Sequence, residues 1–142
     1  MEIVEVEVLV FWYRSRIVKD EEGHIHPGPE HDEFQTLLRI ASDEGVEGYC
    51  FGCDRGAIEG LVRPILLGEN PLYRERIWRK LRRMQRLYDA LTDRVLAAVD
   101  MALWDLAGRY FDRPIYQLLG GYRDRVRAYA STMCGDEIEG GL

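Results

Sequence analysis

All three histidines of this chain fall between positions 24 and 31, in the run His24-Ile25-His26-Pro27-Gly28-Pro29-Glu30-His31, and Arg14 and Arg16 lie shortly before them. Guanidinium and imidazole groups gathered on one polar segment suit charge-assisted hydrogen bonding to an anion. They equally suit a solvated loop whose histidines meet only water. Imidazoles are also metal donors, but the spacing of His24, His26 and His31 matches no zinc pattern, and Pro27 and Pro29 restrict the loop. No residue is therefore assigned as a metal ligand from spacing.

Cys50-Phe51-Gly52-Cys53 has C-x-x-C spacing, and a helix start near Asp54 would supply the environment of a redox pair. Period-two alternation puts the two thiols on opposite faces unless the chain turns at Gly52, and a four-cysteine zinc site would need more than the single further Cys134. Ordinary reduced thiols, with Cys53 partly exposed, are expected. Residues 74–86 carry Arg74, Arg76, Arg79, Lys80, Arg82, Arg83 and Arg86 against Glu75 alone, a local charge of +6 in a chain of net −6. The remaining −12 repels phosphate and can pair with these cations, and few aromatics interleave to stack bases. A solvated or intersubunit helix face is expected there, not a nucleic-acid surface.

The elements that must position these groups follow from periodicity. In residues 2–12, Val4, Val6, Val8, Val10 and Trp12 alternate with Glu5 and Glu7, which predicts a strand with one buried face. Residues 13–32 are too polar to pack and too long for a hairpin turn, so a long loop is expected. Phe34, Thr36, Leu38 and Ile40 predict a second strand, a tight turn at Ser42 to Gly45, and a third strand from Val46 to Phe51. The second half reads as helical. Ile58, Leu61, Val62 and Ile65 hold helical spacing, with Pro64 forcing a kink or restart. Gly68 offers a stop, Asn70 an N-cap and Pro71 a first turn for a helix burying Ile77, Trp78, Leu81 and Met84. Thr92 or Asp93 caps a third helix, whose stripe is Val95, Val99, Ala102, Leu103 and Leu106. Asp112-Arg113-Pro114 starts a short helix ending at Gly120-Gly121, and residues 125–132 return to strand composition.

Length suits one folded unit, and 46% hydrophobic with 31% charged residues is a globular balance. The longest apolar runs fall far short of a membrane span of about 20 residues. Glu2, Glu5 and Glu7 interrupt any signal-peptide core. An odd number of cysteines and no leader point to a reducing, cytoplasmic setting.

The meander, the helices and the linked elements from Val95 to Gly121 (the Ala-Leu-Trp-Asp-Leu-Ala-Gly helix, Arg-Pro-Ile-Tyr-Gln-Leu-Leu-Gly-Gly, then a strand) resemble the enolase superfamily, in its mandelate racemase and muconate lactonizing branch. The resemblance implies an α+β fold: a three-stranded antiparallel meander followed by a helical bundle. Residues 1–121 would be a capping domain, and residues 122–142 the start of a (β/α) barrel, ending in its first strand. It implies an enzyme that abstracts the proton α to a carboxylate, with Mg²⁺ stabilising the ene-diolate and a Lys or His base. Dehydration of a sugar acid is the leading expectation; racemisation, epimerisation or cycloisomerisation is the alternative. The metal ligands and bases would lie on later barrel strands. A barrel takes roughly 200 residues or more, so this chain alone is expected to be inactive and to carry no catalytic residue. In such enzymes the cap loops choose the substrate, which makes Arg14, Arg16, His24, His26, His31, Cys53 and Asp54 candidate contacts to a small carboxylate. Ser131 and Thr132 would stand near the barrel mouth. Expected partners are the barrel domain and further copies of the chain, without nucleic acid or membrane. The competing reading is a stand-alone binding module, against which a lone strand at 125–132 and an uncovered apolar helix face both count.

Overall fold

The computed structural model describes residues 1–129, so Ser131, Thr132 and Cys134 lie outside the described residues. Two compact units emerge. One comprises Met1–Phe11 with Phe34–Gly121; the other comprises Trp12–Glu33 and, within the described residues, 122–129.

The first unit contains the core. Strands β1 (Ile3–Lys19), β2 (Ile25–Ser42) and β3 (Glu47–Phe51) form a three-stranded sheet in the order β1-β2-β3. β2 and β3 are antiparallel, with Leu38 opposite Cys50 and Ile40 opposite Gly48. The turn between them is closed by Ser42, whose amide donates to the Val46 carbonyl at 2.9 Å. Leu38 and Ile40 are fully buried, as alternation requires, together with Ile3, Val6 and Val8. The expected apolar face of β1 is only partly realised: Val4 is 56% and Trp12 71% exposed, and Val10 also reaches solvent. Ile3, out of phase with Val6 and Val8, is buried in place of Val4, so strict alternation fails at the start of β1.

On the other face, charge orders the sheet. Arg39 of β2 donates to Glu7 at 2.5 Å and Glu5 at 2.6 Å on β1, and to Glu47 on β3 at 2.5 Å. One guanidinium thereby ties all three strands through charge-assisted bonds, and its own pKa is raised, first by the bond to Glu7. The Tyr49 hydroxyl, which also bonds Glu47, and then Arg39 hold the Glu47 carboxyl below its ordinary range.

The helices begin with a composite segment: α1 (Arg55–Ala57), a π-helical turn (Ile58–Val62) and α2 (Arg63–Leu66). The Arg63 amide reaches back to the Ile58 carbonyl, five residues away. This wider turn stands immediately before Pro64, which has no amide to donate and whose ring would crowd the carbonyl four residues back in an ordinary helix. The expected kink is thus accommodated as a π turn. Gly68 ends the segment at φ +79°. Helix α3 (Arg74–Met84) starts later than the Asn70-Pro71 signal suggests, because Asn70 closes a turn instead: its side chain accepts from the Leu72 amide at 2.9 Å. Ile77 and Leu81 are buried, Met84 is partly buried, and Trp78 stays substantially exposed. Most of its cations have partners, Arg76 and Lys80 with Glu69, Arg79 with Glu75, and Arg82 with Asp93, while Arg74 lies over the Trp104 ring.

Helix α4 (Asp93–Tyr110) is capped by Thr92, whose hydroxyl accepts from the Val95 amide at 3.3 Å, and its whole predicted stripe is buried. It lies directly on β3. A Cβ built on Gly48 would stand 2.0 Å from the Ala102 carbonyl oxygen and 2.6 Å from the Leu106 nitrogen, so only glycine permits this approach. One turn further, Asp105 accepts the outward amide of Tyr49 at 3.0 Å and receives Arg109 at 3.0 Å. Beyond α4, Asp112 takes φ +50° and leads into the short α5 (Ile115–Leu118).

The second unit corrects the expectation of a loop. Residues 13–32 are mostly strand: β1 and β2 continue as a hairpin arm, turning only at Asp20 to His24, where the Asp20 amide donates to the His24 carbonyl at 3.0 Å. Polarity signals exposure, not irregularity, and here opposite charges across the pair sustain the strands. Arg14 bonds Glu30 at 3.0 Å and Asp32 at 2.8 Å, and Arg16 bonds Glu30 at 3.1 Å. Pro27 and Pro29 are compatible because β3 pairs with β2 only from Leu37 onward. The His24 carbonyl faces β1, so alternation puts the missing amides of both prolines on the edge of β2 opposite β1. The strand expected over 125–132 is not formed in residues 125–129, which are irregular, with Val126 exposed. Strand composition cannot form a ladder without a neighbouring strand to bond. No helix among the described residues is long and apolar enough to cross a membrane.

Two outcomes follow for stability. Gly48→Ala forces β3 off α4, because the obstacle is backbone, and is expected to cost at least about 3 kcal/mol in denaturant melts. Arg39→Met leaves three carboxylates facing one another and is expected to cost about 1–3 kcal/mol at neutral pH. The folded-state pKa of Glu47 is lowered, so its contribution is complete at neutral pH and disappears as pH falls through and below the ordinary carboxylate range. Melts at pH 7 and about pH 3 should therefore show the gap between wild type and Arg39→Met closing on acidification.

Candidate functional site

Cys53 and Asp54 sit where β3 hands over to the helices. Gly52 takes φ +76° there, its amide donating to the Thr36 carbonyl at 2.9 Å, so the chain turns and both Cys50 and Cys53 point into the protein. The turn resolves the alternation argument. Cys53 is 6% exposed, not partly open, because the Thr36 hydroxyl donates to its carbonyl at 2.8 Å and draws the turn against β2. Burial pushes both thiols up from their ordinary range, which makes them poor nucleophiles at neutral pH. Asp54 is exposed, but one carboxylate oxygen accepts the Ala57 amide at 2.7 Å and caps α1.

An open cleft of about 340 Å³ lies at this turn, bordered by Thr36, Gly52, Cys53, Asp54, Thr92 and Arg94. Its cation is Arg94, whose Nε donates to the Gly52 carbonyl at 3.1 Å and is thereby fixed across the cleft from Asp54. Sequence reasoning passed over Arg94. It stands in the first turn of α4, and the only available signal was the Thr92 cap, which places that turn beside the end of β3. The cleft therefore offers a positioned guanidinium and a carboxylate with one free oxygen, suited to holding a hydroxylated anion.

The remaining candidates belong to the arm. Arg14 and Arg16 are occupied by Glu30 and Asp32. His31 Nδ1 lies 3.0 Å from the Pro29 carbonyl, apart from the other two imidazoles. His24 and His26 converge instead on Asp20, with His26 Nε2 at 2.8 Å and His24 Nδ1 at 3.3 Å from Oδ2. Hydrogen bonding to His26, foremost, holds the Asp20 carboxyl below its usual range.

Magnesium is held by oxygen ligands in near-octahedral geometry. Among the described residues, the one convergence of three metal-ligating side chains is Asp20, His24 and His26, two of them imidazoles. The described residues thus do not fit magnesium.

Comparison with known proteins places this arrangement. Residues 21–120 match the family described as mandelate racemase / muconate lactonizing enzyme, N-terminal domain. The D-xylonate dehydratase of Haloferax volcanii is 38% identical over 109 residues, covering 71% of this chain and 26% of that protein. The D-galactarolactone cycloisomerase of Agrobacterium fabrum is 35% identical over 109 residues, covering 68% of this chain and 27% of that protein. The crystal structure of D-glucarate dehydratase from Agrobacterium tumefaciens, complexed with magnesium, superposes with a TM-score of 0.88 at 50% identity, over 100% of this chain and 38% of that one. The chain thus spans well under half the length of each of these proteins. With its meander, its helices and its Val95–Gly121 signature in place, the chain belongs to the mandelate racemase / muconate lactonizing enzyme family, as its N-terminal domain.

Proposed function

We propose that this chain is the substrate-selecting cap of a magnesium-dependent enzyme that removes the proton α to the carboxylate of a sugar acid and expels water. The observation that carries this is the 50% identity, maintained over the whole chain, to a D-glucarate dehydratase; the similarity to a D-xylonate dehydratase points to the same substrate class. Residues 1–121 act as the capping domain and 122–142 begin the barrel. One of the two compact units, which leaves out Trp12–Glu33, ends at Gly121, in keeping with a boundary there. Catalytic groups and magnesium ligands belong to the barrel. The cap contributes contacts to the substrate's carboxylate and hydroxyls: Asp54 and Arg94 at the cleft, and His24, His26 and His31 on the arm, where Arg14 and Arg16 would have to leave Glu30 and Asp32 to take part. Similarity to a D-galactarolactone cycloisomerase supports a second reading, in which the same proton abstraction serves ring isomerisation.

A chimera tests the proposal. Residues 1–121 are joined to the barrel of the Agrobacterium tumefaciens D-glucarate dehydratase and assayed with Mg²⁺ against aldonic and aldaric acids. The expected result is dehydration by the chimera and no turnover by the 142-residue chain alone. A cooperatively melting chimera inactive on every acid would overturn the assignment, as would turnover by the isolated chain. In the active chimera, Arg94→Gln removes a charge-assisted bond of about 1.5–3 kcal/mol and should raise KM by about tenfold or more. Arg86→Gln, in the turn after α3, should leave KM unchanged.

A further inference from the structure

The geometry points to a binding site for a borderline divalent transition-metal ion, zinc foremost, at the tip of the hairpin arm, with Asp20, His24 and His26 as its ligands. Three observations carry it. The carboxylate is fixed before any ion arrives: Asp20 Oδ1 accepts the backbone amides of Glu22 at 3.0 Å and His24 at 2.8 Å, which leaves Oδ2 turned toward the imidazoles. Both imidazoles then present a nitrogen to that same oxygen, at 2.8 Å and 3.3 Å, and the three donor atoms lie within 4.8 Å of one another. The rings meet edge to face, at an interplanar angle of 85°, so neither covers the other's donor nitrogen.

The spacing suits the ion. Zinc bonds of about 2.0–2.1 Å to nitrogen and oxygen in a tetrahedron place ligand atoms roughly 3.3–3.4 Å apart. The His24 contact to Oδ2 at 3.3 Å already has that separation, while the His26 contact at 2.8 Å must open by roughly half an ångström to admit an ion. Water fills the fourth position, or Glu22 does, since its Oε2 lies 3.6 Å from His24 Nδ1. Two imidazoles and one carboxylate select against magnesium, which takes oxygen, and in favour of zinc, nickel or copper. Two of its ligands, His24 and His26, are also arm residues proposed above as substrate contacts, so metal and substrate would compete for them, and titration without substrate reads the metal site alone. The ion would cross-link the two strands of the arm across their turn.

The test uses the full 142-residue chain, stripped with chelator and titrated with Zn²⁺ by calorimetry, with Co²⁺ as an optical probe. We expect one ion per chain, bound in the micromolar range, tetrahedral Co²⁺ bands without thiolate charge transfer, and no displacement by millimolar Mg²⁺. Asp20→Asn, His24→Gln and His26→Gln should each weaken Zn²⁺ binding by about tenfold or more. His31→Gln should leave it unchanged. Far-UV circular dichroism checks that each variant folds, and the ring resonances of His24 and His26 in the unmodified chain should shift with Zn²⁺ while those of His31 stay in place. Absence of binding at millimolar Zn²⁺, a thiolate band, ring shifts confined to His31, or equal weakening by His31→Gln would overturn the assignment.

Discussion

The closest approach in the core is between backbones. At Gly48 the third strand lies against helix α4 with no room for even a methyl group, and the Ala102 carbonyl occupies the space a side chain would take. Much of the rest follows from that contact. Ala98, Ala102 and Ala107 keep the facing surface of α4 low, while Val95, Val99, Leu103 and Leu106 fill the flanks. Asp105 takes the Tyr49 amide, which on the outer side of an edge strand would otherwise face solvent without a strand partner. The position of β3 in turn fixes where Gly52 turns and hence where Cys53, Asp54 and Arg94 stand. A cleft bordered by a cation tied to the Gly52 carbonyl is a by-product of packing a strand onto a helix this tightly.

The sheet is held differently on its two faces. Toward the helices it is held by burial of Ile3, Val6, Val8, Leu38 and Ile40. On the other face it is held by one arginine shared among three glutamates. Because Arg39 draws two partners from β1 and one from β3, it fixes strand order as well as adding attraction, since another register would separate the charges.

Much of this was legible in the amino-acid sequence. The short period of residues 34–51, the Thr92 cap and the α4 stripe all appear where periodicity and capping place them, because local preference and tertiary packing agree there. The arm was not legible. Its residues are polar on both sides, and the cross-strand pairs that sustain it, such as Arg14 with Glu30, are separated by 16 residues with no local signature. Asp20 was missed for a related reason: it pairs with His26 across a turn that only exists once the strands do. Arg94 was hidden in plain helical context, and its proximity to Gly52, 42 residues away, is a product of the fold. The partial exposure expected of Cys53 failed because alternation carries no information about what a left-handed glycine does next.

The two prolines of β2 have a protective consequence. A strand edge that is free to pair is a template onto which another chain's strand can add, and serial addition of this kind leads to fibres. Pro27 and Pro29 remove two successive donors from that edge, so an incoming strand would find its carbonyls facing carbon. Strand addition at this edge is made less favourable by the two absent hydrogen bonds.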